Sequence, residues 1–335
     1  MKALYGLRQA PRAWYAKLDS SLIELGFQQS TSEHAVYLRG VGDHRLVVGV
    51  YVEDLVITGL NGDDIATFKE EMKAEFQMSD LGLLHYYLGL EVTQSEAGIT
   101  ICQGAYAAKI LETAGLTGCN ASHTPMEPRL KLSKQSTAPA VDPTKYRSIV
   151  GSLRYLVNSR PDLAYSVGYV SRFMENPTTE HLAAVKRVLR YVAGTLQFGC
   201  CYRRKKGAQL VGYSDSDLAG DVDTRKSTTG VVFFLGGNLV TWQAQKQRVV
   251  ALSSCEAEYI AAATAACQGV WLTRLLAEIK GKEAGVFALK IDNQSAVALS
   301  RNPVFHDRSK HIDVKYHYIR ECVEENRFRF SPLGR

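Results

Sequence analysis

The chain of 335 residues has room for about two domains, and with 46% hydrophobic and 22% charged residues it has the composition of an ordinary soluble globular protein. Forty Lys and Arg against 34 Asp and Glu leave a net charge of +6, a mild excess that suits a polyanionic partner without requiring one. Seven scattered cysteines without a C-x-x-C pair argue against a disulfide framework or a zinc site, and fit a reducing interior.

In chain order, residues 12 to 26, "RAWYAKLDSSLIELG", place Trp14, Leu18, Leu22 and Leu25 at helical spacing and stop at Gly26. "HAVYLRG" and "RLVVGVYVEDLVITG" read as strands, with Glu53 and Asp54 side by side at a hairpin tip. "DDIATFKEEMKAEFQM" opens on acidic caps and continues as a helix, "LLHYYLGLEVTQSEAGITIC" returns to strands, and "QGAYAAKILETAGL" is a short helix closed by Gly115. Residues 117 to 144 are rich in Thr, Ser, Asn and Pro and read as a linker or long loop. Three helices follow, in "KYRSIVGSLRYLVNSR", "PDLAYSVGYVSRFMEN" and "TEHLAAVKRVLRYVAGT".

From residue 208 the pattern changes to three strands, "QLVGYSDSDLAGD", "GVVFFLGG" and "LVTWQAQ", then a long helix, "SSCEAEYIAAATAACQGVWLTRLLAEI". A fourth strand, "VFALKIDNQ", further helices and "RFRFSPL" complete a mixed-sheet α/β domain. The expected division is an α+β unit over 1–116, a linker and helical connection over 117–207, and the mixed sheet over 208–335. No repeat and no glycine-rich nucleotide cradle is present. No run approaches membrane-spanning length, and the N-terminus lacks the succession of a signal peptide. An intracellular location, in a cytoplasmic particle or the nucleus, with no membrane partner, is the expectation.

Adjacent carboxylates repel, so Glu53 and Asp54 persist near a strand end only if water or a cation reaches them. A solvated acidic turn is the competing reading. In the last domain Asp215 lies in the first strand, Glu258 on the long helix and Asp292 at the end of the fourth strand. Neighbouring first and fourth strands, with the helix packed over them, would bring the three acids together as a nest for divalent ions, and magnesium prefers such oxygen ligands. Each acid also has a plainer explanation: Asp217, Asp221 and Asp223 crowd the same loop, and Glu256 points about 200° away from Glu258 on the helix. The basic run "YRRKKG" at 202 to 207, with Lys186, Arg187 and Arg190 upstream, is either a phosphate-contacting patch or a solvated linker. Helix and strand periodicity favours core packing over base stacking for Trp14, Trp242 and Trp271, and His34, His181 and His317 lack metal spacing.

The stretches "KALYGLRQAPRAWY", "YVEDLVITG", "LGLLHYYLGLEV", "YRSIVGSLRYL", "GYSDSDLAGD", "RKSTTGVVFFLGG", "LSSCEAEYIAAATAACQGVWL", "IDNQSAVALS" and "RSKHIDVKYHYIRE" occur in the order of one family. Over nearly its whole length the chain resembles the reverse transcriptase and ribonuclease H (RNase H) portion of copia-type retrotransposon Pol polyproteins. The resemblance implies a partial polymerase palm made of helix, β-hairpin and helix, a helical connection segment, and an RNase H-like mixed five-stranded sheet with helices. It selects Asp215, Glu258 and Asp292 as ligands of two magnesium ions, with manganese as substitute, for cutting RNA in an RNA/DNA hybrid. Arg203, Arg204, Lys205, Lys206, Arg225, Lys226 and Lys310 are candidate phosphate contacts.

The same resemblance marks departures. "YVED" is similar to the palm's Y-x-D-D loop, but Glu53 stands at the first aspartate and only Asp54 is in register, so magnesium geometry suffers and polymerase activity is expected to be lost. The strand with the palm's other aspartate, and the last RNase H helix with a fourth acid, are expected to be absent. Asp313 and His311 read as packing or capping residues. The rest of a Pol polyprotein is an expected partner, and a non-catalytic relic with weak nucleic-acid binding is the alternative.

Overall fold

A computed structural model describes residues 6–204, 207, 209–301 and 313–332. It divides into two compact units, Met1–Leu84 with Val270–Gly285, and His85–Gly269 with Val286–Arg335. The first contains α1 (Ala10–Glu24), β1 (Gln28–Gln29), β2 (Val36–Arg39), β3 (Leu46–Tyr51), β4 (Asp54–Gly59) and α2 (Gly62–Glu75). The strands form an antiparallel sheet in the order β1-β2-β3-β4. Leu46, Val48 and Val50 alternate inward along β3 and meet Leu18, Leu22, Phe68 and Met72 of the two helices. The Asn61 side chain caps α2 by accepting the Asp63 N–H at 2.9 Å. Helix, hairpin and helix are as the sequence leads one to expect.

The second unit opens with β5 (Tyr86–Tyr87), β6 (Leu90–Ser95), β7 (Gly98–Cys102) and α3 (Gly104–Thr113), followed by α4 (Pro143–Leu156), α5 (Ala164–Val170), α6 (Thr179–Ala193) and β8 (Gly199–Arg203). β8 pairs antiparallel with β7, so one sheet, β5-β6-β7-β8, joins segments on both sides of residue 116. A buried cluster including Ile110, Tyr146, Val150, Leu153, Val170, Val185 and Leu189 packs α3 to α6 together. The segment 161–176, expected as one helix, is instead a 3-10 turn, α5 and a second 3-10 turn. Side-chain bonds occupy carbonyls there: Tyr146 Oη donates to Val170 O at 2.9 Å and Ser171 Oγ to Val167 O at 2.6 Å.

Residues 117–144 behave as an anchored long loop. Leu132 is buried and its N–H donates to Tyr169 Oη at 3.0 Å, while His181 bonds the carbonyl of Ser133 at 3.0 Å. His181 Nδ1 accepts the Thr178 N–H at 2.9 Å, which assigns the ring proton to Nε2, and burial lowers its pKa. This histidine is a neutral cap of α6, stacked on Phe173, and not a metal ligand candidate.

The remaining elements are β9 (Leu210–Ser216), β10 (Thr228–Leu235), β11 (Asn238–Lys246), α7 (Ser254–Lys280), β12 (Phe287–Ile291), α8 (Gln294–Arg301), α9 (Asp313–Glu324) and β13 (Phe328–Pro332). They form the expected mixed five-stranded sheet in the order β11-β10-β9-β12-β13, antiparallel through β9 and parallel from β9 to β13. One sequence reading needs correction: α7 is long and apolar enough to cross a membrane by length and composition. Its apolar residues serve the sheet, where Ala257, Ile260, Ala261 and Ala265 are buried. Residues 270–280 of the same helix belong to the first unit; there Trp271 Nε1 donates to Ser32 O at 2.8 Å, and the Glu278 carboxylate accepts from Thr31 N and the hydroxyls of Thr31 and Ser32.

α7 passes close to β12 at Gly269. A Cβ there would fall 2.2 Å from the buried Phe287 ring. Gly269→Ala is expected to destabilise the fold by about 1–3 kcal/mol, the usual cost of forcing atoms into a packed core, as read by urea unfolding; an unchanged midpoint would show that the helix can lift off β12 freely.

Candidate metal centre

β9 can run through the middle of the sheet because Gly212 leaves room for the Phe233 ring, 2.5 Å from where a Cβ would sit. It pairs in parallel with β12, Ala288 opposite Val211 and Lys290 opposite Tyr213, and two more steps in that register set Asp292 opposite Asp215. α7 places Glu258 against the same strand ends. Carboxylate oxygens of Asp215, Glu258 and Asp292 lie within 4.8 Å of one another, with the two aspartates exposed and the glutamate 5% exposed. Among the described residues this is the one cluster of three such side chains.

Glu258 Oε1 accepts the Ser216 N–H at 3.0 Å, whereas Oε2 is buried with no hydrogen-bond partner. Burial above all, and then the charges of Asp215 and Asp292, push the Glu258 carboxyl up to about 7 against the pull of the Ser216 N–H. An all-oxygen donor set with one unsatisfied buried oxygen and two solvent-facing carboxylates suits a hard divalent cation such as magnesium or manganese. The cation would offset both the burial and the neighbouring charges that raise Glu258.

The neighbouring acids have other duties. Glu256 is also buried, but its Oε2 reaches back to the Leu252 N–H at 2.9 Å, as the helical offset from Glu258 requires. Asp217 accepts from Thr228 N, and Asp223 from Ser133 Oγ and from Lys134 N at 2.8 Å. Asp221 is buried between Arg172 at 3.2 Å and Lys246 at 3.1 Å. Burial alone would raise its carboxyl, but hydrogen bonds from Thr224 and the Lys246 ammonium bring it down to about 2.

Asp54 lies in the first unit, opposite Tyr51 across a two-residue turn of Val52 and Glu53, and is exposed, as is Glu53. Val52 has a φ of 54°, an uncommon and strained value for a β-branched residue. Trp14 Nε1 holds its carbonyl at 2.7 Å. Trp242 likewise donates to Val157 O at 3.0 Å, so all three tryptophan N–H groups bond backbone carbonyls; each ring is half-buried, and Trp14 packs against the apolar cluster of the first unit.

Arg203 and Arg204 are exposed at the end of β8, along a surface groove shared with Glu96 and Tyr202. Arg225 is exposed and Lys226 half-buried in the turn before β10. Lys205, Lys206, Lys310 and His311, and the side chains of Asp313 and His317, lie outside the described residues. Upstream, Arg187 pairs with Glu127 at 2.8 Å and Arg190 bonds Asn120 O at 2.7 Å, so these two bases anchor the long loop. Sequence reasoning missed Ser216, whose N–H bonds Glu258, and Gln247, whose side chain bonds Ser216 and Ala257 beside the acids. Neither carries a charge or motif of its own.

The family model described as "Reverse transcriptase (RNA-dependent DNA polymerase)" matches residues 1–128. The chain is 40% identical over 328 residues to the retrovirus-related Pol polyprotein from transposon RE1 of Arabidopsis thaliana, covering 98% of this chain and 22% of that protein. It is 39% identical over 343 residues to the corresponding polyprotein from transposon TNT 1-94 of Nicotiana tabacum, covering 99% of this chain and 26% of that one. The chain belongs to the copia-type Pol polyproteins. It spans about a quarter of the length of these relatives. Among solved structures, the foamy viral protease-reverse transcriptase dRH in complex with double-stranded DNA matches with a TM-score of 0.54 and 11% identity, over 97% of this chain and 49% of that chain. The likeness is one of fold; the α/β architecture of the chain is that of a reverse transcriptase palm with an RNase H-like domain.

The acid cluster carries a pH signature. Folded Glu258 keeps its proton up to about 7, whereas unfolded it would lose it near 4.5, so between these values the folded Pol chain binds more protons and its stability falls as pH rises. In chelator, a loss of roughly 1–2 kcal/mol is expected across that window, reduced from the full linkage value by solvent access at the two exposed aspartates. Magnesium or manganese should raise the melting temperature more at pH 7.5 than at pH 5, and Glu258→Gln should flatten the pH profile. A wild-type profile that rises over this window would contradict the raised carboxyl.

Proposed function

We propose that the five-stranded domain hydrolyses the RNA strand of an RNA/DNA hybrid, with Asp215, Glu258 and Asp292 holding two divalent ions, magnesium or manganese. The observation that supports this most directly is the three-carboxylate cluster whose innermost oxygen, Glu258 Oε2, is buried and unpartnered. When bound, a pair of divalent ions acidifies the attacking water and offsets charge on the scissile phosphate and departing oxygen. Glu258 forms the floor of the site, turned away from solvent, while exposed Asp215 and Asp292 form the side that a phosphodiester can reach. Arg203, Arg204, Arg225 and Lys226 on the same unit, with Lys205, Lys206 and Lys310, contact hybrid phosphates in this reading.

Polymerisation is not part of the proposal. Glu53 takes the place of the first aspartate of the family's palm loop, and its carboxylate is one methylene farther from the backbone than the magnesium geometry of an aspartate pair allows. The same substitution favours the second reading, a non-catalytic retroelement relic that binds nucleic acid weakly.

Incubation of the purified chain with a labelled RNA/DNA hybrid and magnesium or manganese separates the two. Cleavage is expected for the wild type and a loss of at least about 100-fold for Asp292→Asn, in line with removal of a residue from a metal centre. A folded wild type that leaves the hybrid intact with either metal would sink the nuclease reading in favour of the relic. Arg203→Ala with Arg204→Ala should weaken hybrid binding and flatten its salt dependence; an unchanged salt slope removes these two from the interface.

A further inference from the structure

Hydrogen bonds within the sheet set the spacing of Asp215 and Asp292, because β9 and β12 are neighbours in one ladder. No ladder sets the spacing of Glu258, which stands on a helix and meets β9 through the Ser216 N–H that its Oε1 accepts. Gln247, just beyond β11, is placed to do this. It is 6% exposed, and its N–H is held by Ser227 O at 2.8 Å. Its side-chain Nε2 lies 3.1 Å from Ser216 Oγ, 3.1 Å from Thr229 Oγ1 and 3.0 Å from Ala257 O.

Ser216 and Ala257 are the residues next in sequence to Asp215 and Glu258. Thr229 is the partner of Ser216 across the β9–β10 pairing. Ser216 in turn donates its N–H to Glu258 Oε1 at 3.0 Å. One amide therefore ties the strand that carries one acid to the helix turn that carries another. The opposite face of that amide, Oε1, is buried without a partner. A buried unpaired carbonyl is costly, and a leucine or methionine of similar volume would avoid it. Retaining the amide there makes sense if its N–H₂ side is worth more than the orphaned oxygen costs.

We propose that Gln247 is a positioning residue of the acid cluster, setting the distance from Glu258 to Asp215 and hence the cluster's affinity for a divalent ion. This rests on the reading of the cluster as a metal centre. Partners that orient ligands without touching the metal commonly change metal affinity 10-fold to 100-fold when removed. Asp215 and Asp292 would stay in place without the amide, held by the sheet. Glu258 would lose the clamp beside its own backbone.

The test is manganese binding to the full chain by isothermal titration calorimetry, on the wild type, Gln247→Met and, as a core control, Val231→Ala, together with thermal melts and hybrid cleavage. Val231 is 3% exposed on β10 and outside the clamp, so its truncation reports general loss of stability. The expected result is a manganese Kd raised 10-fold to 100-fold in Gln247→Met, a matching rise in the manganese concentration for half-maximal cleavage, and an unchanged KM for hybrid. Val231→Ala should lower the melting temperature and leave the Kd within about twofold. Gln247→Met with a wild-type Kd, or with a Kd shifted no more than in Val231→Ala, overturns the positioning role. A wild type that binds no manganese overturns it as well. A wild type that binds manganese without cutting hybrid defeats the nuclease reading alone, since the Kd comparison still decides the role of Gln247.

Discussion

Three carboxylates with oxygens within 4.8 Å of one another repel, and the second unit is arranged around holding them there. The parallel pairing of β9 with β12 brings two of them side by side at adjacent strand ends, and α7 supplies the third from above. Close approach of that helix depends on Gly269 lying under the Phe287 ring, and passage of β9 through the sheet depends on Gly212 beside Phe233. Burial first, and then the charges of Asp215 and Asp292, push the Glu258 carboxyl up to about 7.

The loop after β9 shows how the surrounding acids are kept out of that cluster. Asp217, Asp221 and Asp223 are close to Asp215 in sequence, yet each is occupied: by the Thr228 N–H, by Arg172 with Lys246, and by the 133–134 segment. Asp221, buried between two cations, is the strongest of these anchors, because removing one partner of a buried charge pair leaves the other without compensation. The loop is thereby bound to β11, to the turn after α5 and to the long 117–144 segment, so a stretch with no strand or helix of its own still fixes the geometry beside the acids.

Much of the fold was legible in the residues. The alternating apolar positions of β3, the 3.6-residue spacing of Leu18 and Leu22 in α1, and the β-branched and aromatic run of β10 identify elements directly. β8 was not legible, because "GCCYR" has no strand pattern and is recruited by its ladder with β7. The division of residues 161–176 into short helical turns was hidden for a similar reason: it follows from long-range side-chain bonds such as Tyr146 to Val170 O, which no local propensity encodes.

The same contrast holds for the site. Order along the chain was enough to single out Asp215, Glu258 and Asp292, since a strand, a helix and a strand end carrying one acid each is a pattern that local sequence displays, and the family motifs choose among their neighbours. What only the tertiary structure decided is which residues hold those acids at their spacing. Gln247 and Ser216 are uncharged, common residue types, one beyond a strand and one at a strand end, and their role exists only where β9, β10 and α7 converge. Hydrophobic period and motif are properties of a segment, whereas the distance between a strand and a helix is a property of packing, set by hydrogen bonds between residues far apart in the chain.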